Sequence, residues 1–197
     1  MTKILLASQN PGKLRELQAI LYDLPIQLLT PADLGIQMDV AETGSTYAEN
    51  AALKSKAYAD VCGCITLADD SGLEVDALDG APGLYSARYA PDPEATDADR
   101  RAYLLQNLVG HPRPWTARFH ATIAITLPDG ETHFSNGACE GEIIPEERGD
   151  GGFGYDPIFF IPEKDATMAE LAEDVKNRIS HRARALENAK EILLAII

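Results

Sequence analysis

Apolar residues along this chain fall into short blocks whose spacing alternates between two periods. Ile4, Leu5, Leu6 and Ala7 form a continuous block, which reads as a short buried strand starting at Lys3. Pro11 and Gly12 then open a stretch in which Leu14, Leu17, Ile20 and Leu21 recur three and four apart, the stripe of an amphipathic helix. Residues 26–29 read as a second strand. Residues 46–61 read as a helix, with Thr46 and Glu49 spaced as a capping box. A strand at 65–68 is expected to end abruptly in Asp69-Asp70-Ser71-Gly72, with a further strand at 73–78. Gly80-Ala81-Pro82-Gly83 reads as a turn and residues 97–108 as a polar helix. Phe119, Ala121, Ile123, Ile125 and Leu127 alternate with mostly polar neighbours, as in a half-buried strand. Asp129-Gly130 turns that strand back through 131–138 as a hairpin. Residues 158–161 form a last strand. Thr167 with Glu170 predicts one helix start, and Ser180 predicts the cap of a final helix that runs to Ile197.

Strands and helices interleave, yet one long hairpin is antiparallel. That pattern predicts an α/β fold with a mixed sheet. No repeat, low-complexity tract or linker divides the 197 residues, which suit a single domain over 1–197, with room for two lobes.

Charge narrows the functions. The chain carries 31 acidic and 17 basic residues, a formal charge of -14. Nucleic-acid binding needs Lys and Arg spread over a wide face, and a polybasic membrane anchor needs the same excess. Neither partner is expected. The apolar block after Lys3 is too short for a signal peptide, and residues 192–197 are too few to span a membrane. Cys62, Cys64 and Cys139 cannot all pair, and Cys62-Gly63-Cys64 has no second Cys or His pair near it for zinc. Buried thiols in a reducing cytoplasm are expected. His111, His120 and His133 show no partner spacing, and Trp115 reads as packing.

Against that acidic background one basic cluster stands out. Lys176, Arg178, His181, Arg182 and Arg184 fall within nine positions, about twenty residues after the loop Gly151-Gly152-Phe153-Gly154-Tyr155-Asp156-Pro157. Aromatic rings beside donors suit one small ligand with a planar ring and an anionic part, as in a nucleotide. Ser8-Gln9-Asn10-Pro11-Gly12-Lys13 opens a helix, whose N-terminus suits phosphate. Asn10 also fits a plain helix cap and Lys13 a solvated first-turn residue. Asp69-Asp70 at a strand end could hold Mg²⁺. Strand alternation points the two acids to opposite faces, one toward ligand and one toward scaffold; ordinary turn chemistry is the competing reading. Glu42 could add an oxygen ligand. Lys54 and Lys56 read as surface residues. Phe153 and Tyr155 also fit core packing.

These stretches, in their order, closely resemble the inosine-triphosphate pyrophosphatase family. The resemblance is carried by Ser8 to Lys13, Glu42 to Ala51, Ala68 to Leu73, Gly83 to Tyr89, Phe153 to Phe159, and Lys176 with Ser180-His181-Arg182. It implies an elongated mixed sheet flanked by helices, in two lobes with the active site in the cleft between them, and a homodimer. It implies Mg²⁺-dependent cleavage of ITP, dITP and XTP to the monophosphate and pyrophosphate, which clears such nucleotides before they enter DNA or RNA. By matching position, Ser8, Gln9, Asn10, Pro11, Gly12 and Lys13 hold the triphosphate. Glu42 and Asp70 lie at the metal, and Asp70 accepts the proton. Ser71, Phe153, Gly154, Tyr155, Asp156, Lys176, His181 and Arg182 contact the substrate. Donors from Lys176, His181 and Arg182 pair with a 6-keto oxygen and not with a 6-amino group. Rejection of GTP needs a second device.

Two departures are visible. Pro91-Asp92-Pro93 stands where the family commonly has a glycine, and Asp99-Arg100-Arg101 where an Asn-rich stretch is frequent. Both are expected to touch only a peripheral loop and helix. Two other readings stay open: a nucleotide-binding regulatory module without hydrolysis, and a related-fold pyrophosphatase for pyrimidine or methylated nucleotides.

Overall fold

Seven strands and five α-helices are formed in the computed structural model, which describes residues 1–197. In chain order they are β1 Thr2–Leu6, α1 Pro11–Ile20, β2 Ile26–Leu29, α2 Tyr47–Cys62, β3 Ile65–Val75, α3 Asp97–Leu108, β4 Trp115–Thr126, β5 Thr132–Ile143, β6 Phe159–Ile161, β7 Ala166–Thr167, α4 Glu173–Ile179 and α5 His181–Ile196. The strands make one sheet in the order β2-β1-β3-β4-β5-β6-β7. β1 pairs in parallel with β2 and β3, whereas β6 pairs antiparallel with β5 and β7. The sheet is therefore mixed, as the interleaved pattern predicts.

The chain forms two compact units. The first takes residues 1–71, 121–137 and 181–197; the second takes 72–120 and 138–180. In the first, the α1 stripe of Leu17, Ile20 and Leu21 packs with Ile4, Leu6 and Leu67, with Ile123 and Ile125, and with Leu186, Ala189 and Leu193 of α5. Burying each large aliphatic side chain contributes roughly 1.5–3 kcal/mol before entropy is counted. The second unit has its own core around Leu73, Leu104, Leu108, Trp115, Phe119, Ile143 and Phe159. The Phe119 and Phe159 rings lie 4.5 Å apart between centroids.

α5 approaches β5 so closely that only glycine fits at 137. A Cβ there would stand 2.3 Å from the Ala185 nitrogen and 2.3 Å from the His181 carbonyl oxygen. Both are backbone atoms and cannot swing aside. Gly137→Ala should therefore lower stability by about 1–3 kcal/mol, the usual effect of overpacking. Urea denaturation measures it, and an unchanged midpoint would show that α5 can retreat.

Several elements differ from the sequence pattern. β3 runs unbroken from Ile65 to Val75, so Asp69-Asp70-Ser71-Gly72 is strand rather than turn. The aspartate side chains are held by distant cations instead of turning back onto their own backbone. Thr167 and Glu170 do not open a helix: Thr167 lies in β7, its N–H donates to Glu170 Oε2 at 2.8 Å, and α4 begins at Glu173. β4 and β5 are longer than the alternation alone shows, because Trp115, Ala117, Cys139 and Ile143 continue the buried face. Only Cys139 is fully buried; Cys62 and Cys64 are half-buried, and none of the three is in a disulfide. No helix is long and apolar enough to cross a membrane.

Candidate active site

The first unit gathers seven charged side chains around the middle of β3. Asp69 and Asp70 are adjacent, so their side chains leave the strand on opposite faces. Asp69 is completely buried. Its carboxylate meets Lys13 of α1 through Oδ1 and accepts from Arg182 Nε at 3.0 Å through Oδ2. Arg182, at the start of α5, also reaches Glu16 through Nη1 and the Ser71 hydroxyl through Nη2 at 3.2 Å. On the other side, Lys54 of α2 donates to Glu42 Oε1 at 2.9 Å, to Asp70 Oδ1 at 3.2 Å and to the Asp69 carbonyl at 2.8 Å.

These partners give the two acids different chemistry. Burial pushes the Asp69 carboxyl upward, but Arg182 and Lys13 outweigh it and hold it far below the usual carboxylate range. Asp69 therefore stays anionic and anchors two cations. For Asp70 burial wins over Lys54 and Lys13, with Glu42 adding to the rise, so its carboxyl lies above the ordinary value. A carboxylate with a raised pKa is the better proton acceptor near neutral pH. The two acids thus meet different partners, Asp69 with Arg182 and Lys13, Asp70 with Lys54.

Glu42 and Asp70 converge on a single ammonium, so the structure already places positive charge between them. That is an oxygen-rich seat for a hard cation. Mg²⁺ is commonly held by one or two protein carboxylates, with waters and substrate phosphates completing its shell. The donor set thus fits magnesium.

The Ser8–Lys13 stretch differs from a bare phosphate-binding helix end. Pro11 has no N–H, and the Gly12 and Lys13 N–H groups donate to Asn10 Oδ1 at 2.9 and 3.1 Å. Asn10 is the helix cap, and its own N–H donates to Ser8 Oγ at 3.2 Å. Gln9 Nε2 donates to the Met38 carbonyl at 2.8 Å. The cation of this stretch is Lys13, and its ammonium is paired with Asp69. Burial lowers the Lys13 pKa, and the neighbouring Asp69 offsets this only in part. A hollow of about 790 Å³ borders Ser8, Gln9, Leu14 and Met38, but Asp39 is its only charged lining residue.

The second unit holds the aromatic loop. Asp156 is buried, and its Oδ2 accepts from Lys176 Nζ at 2.6 Å and from the Phe153 N–H at 2.9 Å. Lys176 Nζ also lies 5.0 Å from the Phe153 ring centroid. Gly152 has φ +72°, and a Cβ there would come within 2.0 Å of Asp156 Oδ2. The glycine lets the loop wrap the carboxylate. Tyr155 departs from the expected ligand-stacking role: its ring belongs to the core and its hydroxyl donates to the Ser86 carbonyl at 2.9 Å. Phe153 is half-buried, with Lys176 over its ring.

Arg182 also departs from its expected place as a donor to the base. Its guanidinium is engaged with Asp69, Glu16 and Ser71, and the residue is 1% exposed. His181 is buried beside it as the first residue of α5. Lys54 is not a surface residue; its side chain is 14% exposed and sits among the acids. A signal for it existed in the sequence, since Lys54 lies three and four residues beyond Ala51 and Asn50, both on the buried face of α2. Glu16, one turn beyond Lys13, was likewise missed. Asp97 and Arg101 touch Gly154, so α3 is not peripheral.

Known proteins resemble this chain in sequence and in fold. A model of the Ham1 family matches residues 4–192. A dITP/XTP pyrophosphatase of Desulforamulus reducens is 48% identical over 97% of this chain and 95% of that protein. One from Listeria monocytogenes is 47% identical over 100% of this chain and 97% of its own length. A HAM1 protein from Coxiella burnetii has a similar structure, with a TM-score of 0.89 and 43% identity over 99% of this chain and 100% of the other. The likeness first read from ordered motifs extends over nearly the whole sequence and the whole fold, and the chain belongs to the Ham1 family.

Proposed function

We propose that this protein hydrolyses non-standard purine nucleoside triphosphates, dITP, XTP and ITP, to the monophosphate and pyrophosphate, and so cleanses the nucleotide pool. The names of its relatives support the substrate class, and the Asp69–Asp70 pair is the observation that carries the chemistry. The attacking water gives its proton to Asp70 as its oxygen bonds to the α-phosphorus, and the bond to the bridging oxygen of the β-phosphate breaks. Lys13 and Lys54 neutralise charge on the phosphate chain and the departing pyrophosphate. Glu42 and Asp70 would hold Mg²⁺, which when bound neutralises phosphate charge and polarises the scissile group. Phe153 offers its ring face to the base, and Lys176 donates toward a 6-keto oxygen. Asn10, supported by Ser8, caps the helix that carries Lys13. Arg182 and Ser71 serve chiefly by fixing Asp69. The working species is a cytoplasmic homodimer, a reading that rests on the free thiols for compartment and on the family resemblance for assembly.

The test is product identity. Incubation with ITP or XTP and Mg²⁺ should release pyrophosphate and the monophosphate, and a chelator should stop it. Release of orthophosphate with the diphosphate, or binding without turnover, would overturn the reading.

Lys13→Met gives a more local check. It should weaken triphosphate binding far more than monophosphate binding, by roughly 1.5–3 kcal/mol, the worth of a charge-assisted hydrogen bond. Calorimetry with a slowly hydrolysed ITP analogue and with IMP measures both. Equal losses would move Lys13 away from the phosphate chain.

A further inference from the structure

We propose that Asp97 and Arg101 of α3 are positioning residues for nucleobase selection, acting through the Gly154 peptide on the Phe153–Asp156 loop. The proposal rests on the reading above, in which that loop meets the base.

The geometry is a two-sided clamp. The Gly154 N–H donates to Asp97 Oδ2 at 2.8 Å, and the Gly154 carbonyl accepts from Arg101 Nη1 at 2.8 Å. Both clamping groups are themselves fixed. Arg101 Nε and Nη2 donate to the two Glu147 oxygens at 2.9 and 2.8 Å, a bidentate fork. Asp97 Oδ1 accepts from Arg100 Nη2 at 2.5 Å, and Arg100 Nη1 donates to the Ala95 carbonyl at 2.6 Å. α3 is in turn anchored by Leu104 and Leu108 in the core and by a Thr96–Asp99 capping box.

The loop needs such a hold. Gly152 and Gly154 both have positive φ, 72° and 63°, and the loop has no strand partner at its tip. Glycines in that conformation leave a loop many accessible states unless something outside pins it. Gly154 lies between Phe153, whose ring faces Lys176, and Tyr155, whose ring is locked in the core. Pinning the Gly154 peptide therefore fixes the Phe153 ring and the Asp156–Lys176 pair relative to rigid structure. Misplacing a positioning group by about an ångström can change a rate about a hundredfold.

Four variants test it: Arg101→Ala, Arg101→Lys, Asp97→Ala and Asp97→Asn. Hydrogen exchange over residues 149–156 reports the clamp without reference to activity. kcat and KM for ITP and ATP report selection, and the thermal midpoint monitors the fold. Arg101→Ala and Asp97→Ala should speed exchange in that loop while core amides of β4 stay protected. They should raise KM for ITP and narrow the ITP-to-ATP ratio of kcat/KM about tenfold or more, with a smaller change in kcat. Arg101→Lys and Asp97→Asn retain one donor or acceptor toward Gly154 and should recover part of both effects. Unchanged exchange in the loop overturns the clamp. Faster exchange with an unaltered KM and ratio overturns its role in selection. A parent protein that turns over no purine triphosphate overturns the functional reading and the selection role with it, while loop exchange still decides the clamp.

Discussion

Asp70→Asn is expected to lower turnover by about 10²–10⁴-fold and to leave the protein folded and able to bind nucleotide. Asparagine keeps the shape and can still accept from Lys54, but it cannot take the proton of water or add charge at a cation. The fold should tolerate the change because Asp70 anchors no fully buried cation; Lys54 keeps Glu42 and the Asp69 carbonyl. Steady-state pyrophosphate release at saturating Mg²⁺ measures the loss. Near-parental rates would remove Asp70 from the chemistry and leave the paired acids as scaffold.

Arg182→Ala should act differently, through stability. Removing one partner of a buried ion pair typically costs about 3–5 kcal/mol because the other charge stays buried. Here Asp69 would retain only Lys13 and the Ser71 hydroxyl, and Glu16 would lose its guanidinium. The pH dependence should change as well. The folded-state pKa of Asp69 is depressed, so its contribution is fully present above the unfolded carboxylate value of about 3.9 and is lost as pH falls below it. With Arg182 gone that depression shrinks, and the acid side of the stability curve should flatten. Urea midpoints at pH 7 and pH 3 on parent and variant check both parts. A variant as stable as its parent at both would show that the network contributes little.

Local sequence signals identified most elements because periodicity and caps act within a few residues. The Leu14–Leu21 stripe, the Asn10 and Thr46 caps and the α5 helix all appear where short-range rules put them. Asp69-Asp70-Ser71-Gly72 did not obey those rules. Its residues favour turns locally, yet Arg182 and Lys13 lie 113 and 56 positions away in the chain and hold Asp69 along an extended strand. Thr167 and Glu170 form the expected local pair, but β7 pairing with β6 takes the backbone that a helix would need. For the candidate site, residue types and order pointed to stretches that carry buried charge, whereas the pairings within them follow from burial. Asp69 and Asp70 look alike in sequence and differ because one faces two cations in a closed core. Lys54, a lysine in helical register, reads as solvated until the acids on neighbouring segments are placed around it.

The central claim is selective cleavage of non-standard purine triphosphates, and matched kcat/KM values for ITP, XTP, GTP and ATP with Mg²⁺ test it most directly. ITP and XTP should exceed ATP by a large factor, since a site that pairs a donor with a 6-keto oxygen can reject its mismatch by about 10⁴–10⁵, and GTP should also be poor. A parent enzyme that prefers ATP, or a pyrimidine triphosphate, would contradict the account.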